Sequence, residues 1–136
     1  MIPVHLIIIC GIPASGKTTL SKRIMADGKY DFYSFDDLGC FMHRELIPYI
    51  KQSLSAGKNV LVDSTYSRRS IREELLVSLA ECNCKKTIIF LDTPIEECVR
   101  RNKQRRCTVP ECLVTGIHKA MQPPTYEEGW DEIIYM

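Results

Sequence analysis

Eight consecutive residues near the start of the chain limit what it can fold into more than any other feature. Gly11-Ile12-Pro13-Ala14-Ser15-Gly16-Lys17-Thr18 fits the pattern G-x-x-x-x-G-K-[ST] at every position. The preceding run, Val4–Cys10, is almost unbroken apolar and reads as a strand buried on both faces. The following stretch, Gly16 to about Met25, reads as a helix. Strand, glycine turn and helix in that order form the setting in which this pattern wraps a phosphate. Backbone N–H groups of Ala14 to Lys17 are expected to point inward at the helix N-terminus. Lys17 is then placed to reach the β- and γ-phosphates of ATP, and the Thr18 hydroxyl to hold Mg²⁺. Gly11 and Gly16 keep Cβ atoms out of the tight turn. The nucleotide site is accordingly expected to run from Gly11 through Thr19.

The rest of the chain alternates strand and helix patterns. Asp31–Phe35 reads as a short aromatic strand. From Phe41 to Leu54, Leu46, Ile47, Ile50 and Leu54 recur at helical spacing, and Gly57 sits where that helix should stop. Val60–Val62 reads as a buried strand ending at Asp63, followed by a helix over about Ser67–Cys82. Thr87–Leu91 is the next strand, ending at Asp92. Pro94 suits the first turn of a helix reaching about Asn102. A further helix spans about Pro110–Met121, Gln122–Thr125 breaks it, and Trp130–Tyr135 is the last strand. The pattern predicts a three-layer α/β fold of the P-loop NTPase type, with a mostly parallel five-stranded sheet. With 136 residues and no linker or repeat, residues 1–136 are expected to form one domain.

In such sheets ligands bind at the C-terminal ends of the strands. Asp36 falls at one such end and is the candidate general base for a hydroxyl acceptor. Asp37 reads as a helix cap. Asp63 ends another strand and is the candidate second magnesium residue beside Thr18. Asp92 reads as a strand-end or N-cap residue. Arg100, Arg101, Lys103, Arg105 and Arg106 lie within seven positions. Arg101 and Arg105 share one helical face. They are the candidates for a short arginine lid that neutralises charge on a transferring phosphoryl group. A second basic group, Arg68, Arg69 and Arg72, follows Asp63, and Arg72 is its best candidate for meeting an acceptor phosphate.

Composition narrows the alternatives. Lys plus Arg number 18 and Asp plus Glu 17, a net charge of +1, so there is no polybasic coat. No N-K-x-D guanine signature is present. A Ser–His–Asp or Cys–His catalytic set has no support from three scattered histidines. The seven cysteines lack zinc-knuckle spacing and read as reduced thiols of a cytoplasmic protein. There is no secretory signal pattern, and no stretch approaches the ~20 apolar residues of a membrane helix.

Taken together, these segments resemble the kinase domain of polynucleotide 5′-hydroxyl kinases, a nucleoside-kinase-like P-loop family with zeta-toxin and seryl-tRNA kinase relatives. GIPASGKTT is similar to its nucleotide loop, FDDLG (Phe35–Gly39) to its general-base segment, and RNKQR (Arg101–Arg105) to its lid. VDSTYSRRSIR (Val62–Arg72) resembles the family's strand-end aspartate with a later arginine, although Tyr66 stands where Asn is usual. MQPPTYEEGWDEI (Met121–Ile133) is similar to its closing element. The resemblance implies in-line transfer of the ATP γ-phosphate to a 5′-OH of DNA or RNA, with Mg²⁺, Asp36 as base, and Lys17, Arg101 and Arg105 as charge stabilisers. The lid and closing element also resemble the kinase for tRNA-linked serine, and nucleosides, sugars or other small hydroxyl compounds are alternative acceptors. Phe35 and Gly39 replace an arginine usual near the base. Arg44, on the next helix, is the candidate to take its place on the acceptor side. A non-enzymatic ATP sensor or assembly factor is the reading from another class.

Overall fold

The computed structural model describes residues 4–34, 43–105 and 109–136. Five strands, β1 (Val4–Cys10), β2 (Tyr30–Ser34), β3 (Asn59–Ser64), β4 (Cys84–Phe90) and β5 (Glu132–Tyr135), form one sheet in the order β2-β3-β1-β4-β5. Every pairing is parallel, with Ile9 opposite Asp63 across β1 and β3 and opposite Ile89 across β1 and β4. The α-helices are α1 (Lys17–Met25), α2 (His43–Ser55), α3 (Arg69–Ser78), α4 (Ile95–Gln104) and α5 (Glu111–Ala120). A 3₁₀ turn, Tyr126–Glu128, precedes β5.

Alternation along β1 explains the layers. Leu6, Ile8 and Cys10 face one side and pack with Leu46, Ile50 and Leu54 of α2 and Leu75 and Leu76 of α3. Ile7 and Ile9 face the other side, against Leu20, Ile24 and Met25 of α1. A smaller cluster of Ile12, Cys98 and Val114 joins the loop after β1 to α4 and α5. The central strand is thus buried on both faces, as its unbroken apolar run requires.

Element positions follow the expectations, with shifts at the ends. The strand expected at Asp31–Phe35 runs Tyr30–Ser34, and the strand expected at Thr87–Leu91 begins earlier, at Cys84. The helix expected over Ser67–Cys82 is shorter, Arg69–Ser78. Pro94 occupies the N-cap of α4 rather than its first turn. Gly57 ends α2 as expected: at φ +78° it lets its own N–H reach the Leu54 carbonyl and the Lys58 N–H reach that of Ser53. Among the described residues, no helix is long and apolar enough to cross a membrane.

Candidate functional site

β1 lies between β3 and β4, the point at which the chain's order in the sheet changes direction, and a crevice opens there at the strand ends. The loop from Gly11 to Gly16 fills its floor. A Cβ on Gly11 would lie 2.5 Å from Ser15 Oγ and 3.3 Å from Leu91 Cβ, so a side chain there would force Ser15 to move. Ala14 and Gly16 adopt φ +64° and +107°, left-handed conformations that turn successive N–H groups the same way. The Ser15 N–H reaches the Ile12 carbonyl at 3.2 Å, and Leu20 N–H reaches Gly16 at 3.1 Å as α1 begins. Thr93, beyond β4, donates its hydroxyl to the Ser15 carbonyl at 2.7 Å and fixes the loop from the side. Lys17 curls back, its Nζ donating to the carbonyls of Gly11 and Ile12, each at 3.0 Å.

Asp63 is buried at the end of β3, with its Oδ2 3.2 Å from Ser21 Oγ. That hydroxyl lies 2.8 Å from the Lys17 carbonyl. Ser21 thereby ties the first turn of α1 to the tip of β3, next to Thr18. The carboxylate and the Thr18 hydroxyl line one cavity of about 550 Å³. This is a hard-oxygen donor pair of the kind Mg²⁺ takes.

The same cavity is lined by loop residues Pro13 to Thr19, by Ser64 and Thr65 beyond Asp63, and by Arg101 and Arg105 on the far side. Ala14 of the loop, Asp63 of β3 and Arg101 of α4, far apart in the sequence, therefore meet at one end of the sheet. Arg101 approaches the loop closely: a Cβ on Gly16 would be 3.7 Å from its Nη1. Asn102, between the two arginines, is buried and holds the segment in place. Its side-chain amide donates to the Val109 carbonyl at 2.6 Å, and its Oδ1 accepts from the Val109 N–H at 3.1 Å.

One acceptor-side expectation requires correction. Arg72 is wholly buried and unavailable to any acceptor. Its Nε and Nη2 donate to Glu128 at 2.8 and 2.9 Å, and its Nη1 donates to the Tyr66 carbonyl at 2.8 Å. Glu128 also accepts from Trp130 Nε1 at 3.1 Å. Burial alone would raise the Glu128 carboxyl, but the bonds from Arg72 and Trp130 outweigh it and hold it below the ordinary value. Arg44 is exposed and paired with Glu74 of α3 at 2.7 Å, and it is not among the residues that line the cavity. Asp36, Asp37, Phe35, Gly39 and Arg106 lie outside the described residues.

The buried network does shape the site indirectly. Tyr66 takes φ +41°, an uncommon conformation for a residue with a side chain. Its carbonyl is held by Arg72 and by the Cys10 thiol, whose Sγ lies 3.3 Å away, and the same thiol donates to Thr65 at 3.1 Å. Burial pushes the Cys10 thiol up to about 12, so it stays a neutral donor. The cavity also takes in Arg23, Ser34 and Met136, none of which the sequence reading singled out. Arg23 carried one usable signal, its position one helical turn after Thr19. Ser34 and Met136 carried none, because they reach the cavity only through sheet register.

A family model described as "AAA domain" matches residues 37–124. The match begins past the glycine loop, so it rests on the part of the chain that carries Asp63, Arg101 and Arg105. An L-seryl-tRNA(Sec) kinase from Methanococcus maripaludis is 28% identical over 145 aligned residues, covering 93% of this chain. The chain spans 56% of that relative's length. Among solved structures, Kti12 of Chaetomium thermophilum in complex with ADP-AlF3 superposes with a TM-score of 0.76 at 17% identity, over 96% of this chain and 88% of that one. A fungal RNA kinase gives 0.80 at 14% identity, over all of this chain and 38% of the other. A sugar kinase from Janibacter gives 0.78 at 17%, over 98% and 85%. The chain belongs to the AAA domain family and has the five-stranded parallel fold of the P-loop kinases.

Proposed function

We propose that the protein is an ATP-dependent kinase that transfers the γ-phosphate to a hydroxyl carried on a nucleic acid, with the 5′-OH of DNA or RNA as the first-choice acceptor. The observation that carries this reading is one cavity lined by Pro13 to Thr19 of the loop together with Asp63, Arg101 and Arg105. The loop N–H groups and Lys17 would cradle the β- and γ-phosphates, with Gly11 through Thr19 as the nucleotide contacts. Thr18 and Asp63 would hold Mg²⁺, which when bound neutralises charge on those phosphates. Asp36, two residues after the cavity-lining Ser34, is the proposed base. It would take the proton of the acceptor hydroxyl as that oxygen bonds to the γ-phosphorus and the bond to the β–γ bridging oxygen breaks, releasing ADP. Arg101 and Arg105 would stabilise the charge that spreads over the phosphoryl oxygens.

A second reading, phosphorylation of the serine hydroxyl on a charged tRNA, is favoured by the likeness to the archaeal seryl-tRNA kinase along 93% of the chain. Both readings share the nucleotide side and differ only in the acceptor. Incubation with γ-labelled ATP and Mg²⁺ separates them, with a 5′-OH oligonucleotide in one arm and seryl-tRNA in another. Label on an oligonucleotide end, absent with Asp36→Ala, supports the first reading, and label on serine alone supports the second. ATP binding with no transfer to either, or to small hydroxyl compounds, would make the protein a nucleotide sensor.

A further inference from the structure

The two arginines nearest the start of the basic cluster are not independent of each other. Glu97, in the first turn of α4, accepts from both. Arg100 Nε donates to Glu97 Oε2 at 3.0 Å, and Arg100 Nη2 donates to Oε1. Arg101 Nε donates to the same Oε1 at 2.9 Å. The two guanidinium groups, adjacent in sequence and alike in charge, therefore share one carboxylate. For Arg101 the consequence is directional. A guanidinium is planar and rigid, so fixing Nε fixes where the two terminal nitrogens point. With Nε on Glu97, Nη1 faces the glycine loop, within 3.7 Å of where a Gly16 Cβ would stand.

We propose that Glu97 is a positioning residue, which presets Arg101 over the nucleotide loop before the nucleotide's terminal phosphate arrives. The inference rests on the kinase reading above and extends it to a residue that is not among those lining the cavity. Two features fit a preset rather than a structural bolt. The hydrogen bonds from Arg100 outweigh Glu97's desolvation, and with those from Arg101 they hold the carboxyl at about 2, so it is charged near neutral pH. The pair is also solvent-accessible, at 44% for Arg101 and 32% for Glu97, and ion pairs in contact with water carry little folding energy. Orientation is where such a contact acts, because a small misplacement of a charged donor costs far more in the transition state than in the ground state.

The test uses the whole chain with Glu97→Ala, Glu97→Gln, Arg101→Ala and the double variant Glu97→Ala/Arg101→Ala. Calorimetry measures Mg-ADP binding with and without aluminium fluoride, the planar mimic of a phosphoryl group in transfer. Glu97→Ala is expected to weaken the aluminium fluoride complex about tenfold. It should leave ADP alone within about twofold and the melting temperature unchanged. Glu97→Gln, which keeps one acceptor oxygen, should recover part of that loss. In the Arg101→Ala background, removing Glu97 should cost nothing more. An equal loss for ADP and its fluoride complex would overturn the proposal, as would a full loss on top of Arg101→Ala or no loss at all. If the unaltered protein binds no ADP, the kinase reading and this inference fall together. If it binds ADP and only the Glu97 effects are missing, the inference falls alone.

Discussion

Gly11 and Arg72 show how differently two residues can carry meaning. The Gly11 requirement is local: four residues on, Ser15 Oγ occupies the space that a Cβ would need. Gly11→Ala should therefore distort the loop at a cost of about 1–3 kcal/mol. It should weaken nucleotide binding by roughly five- to a hundredfold, measured by titration with the fold checked by circular dichroism. Arg72 reads in the sequence as a candidate for an acceptor phosphate, because its partner Glu128 is 56 residues away and a sequence displays no such pairing. Arg72→Met should leave a buried carboxylate unpaired and destabilise the fold by about 3–5 kcal/mol in urea unfolding. The same pair sets a pH dependence. The Glu128 carboxyl lies below its ordinary 4.5 when folded, so the stability it contributes is complete above that pH. It drains away as the pH falls below 4.5 toward the folded value. Glu128→Gln should flatten that part of the curve, seen by comparing denaturant midpoints at pH 7 and pH 3.

At the scale of elements, the closing segment is tied into the core rather than appended to it. Thr125 and Glu128 form a reciprocal cap on the 3₁₀ turn, Glu128 grips α3 through Arg72, and Trp130 is buried against the main core cluster. The Asp131 N–H then reaches the Lys86 carbonyl, and β5 adds to β4. Trp130→Ala should cost about 3–5 kcal/mol, read as a lowered urea midpoint. A truncation before Thr125 should fail to give a cooperative transition, because it removes Glu128 and exposes the edge of β4 together. The motif around these residues was legible as a resemblance. Its work as a clamp was not, since a capping box, an ion pair and an indole N–H converge on one carboxylate only after α3 and β5 have docked.

The whole molecule is a parallel sheet whose strand ends bring distant segments to one cavity. If that cavity takes Mg-ATP, ligand at a hundred times its dissociation constant should stabilise the fold by about 2.7 kcal/mol. A thermal shift with Mg-ATP that disappears in Lys17→Ala would check this, and Lys17→Ala without ligand should melt close to the unaltered protein. Much of this architecture was determined by the sequence alone. The glycine loop, the apolar run of β1, the helix stop at Gly57 and the end of β3, one residue past Asp63, are short-range patterns, dictated by backbone sterics and by periods of two and 3.6 residues. Tertiary structure decided which cations line the cavity. Arg101 and Arg105 come to the cavity because α4 returns across the loop, while Arg72 goes to the core and Arg44 to the surface of α3. Charge alone is the same for all four in the sequence. What separates them is the dielectric and the partner each one meets, and both are properties of packing between segments far apart in the chain.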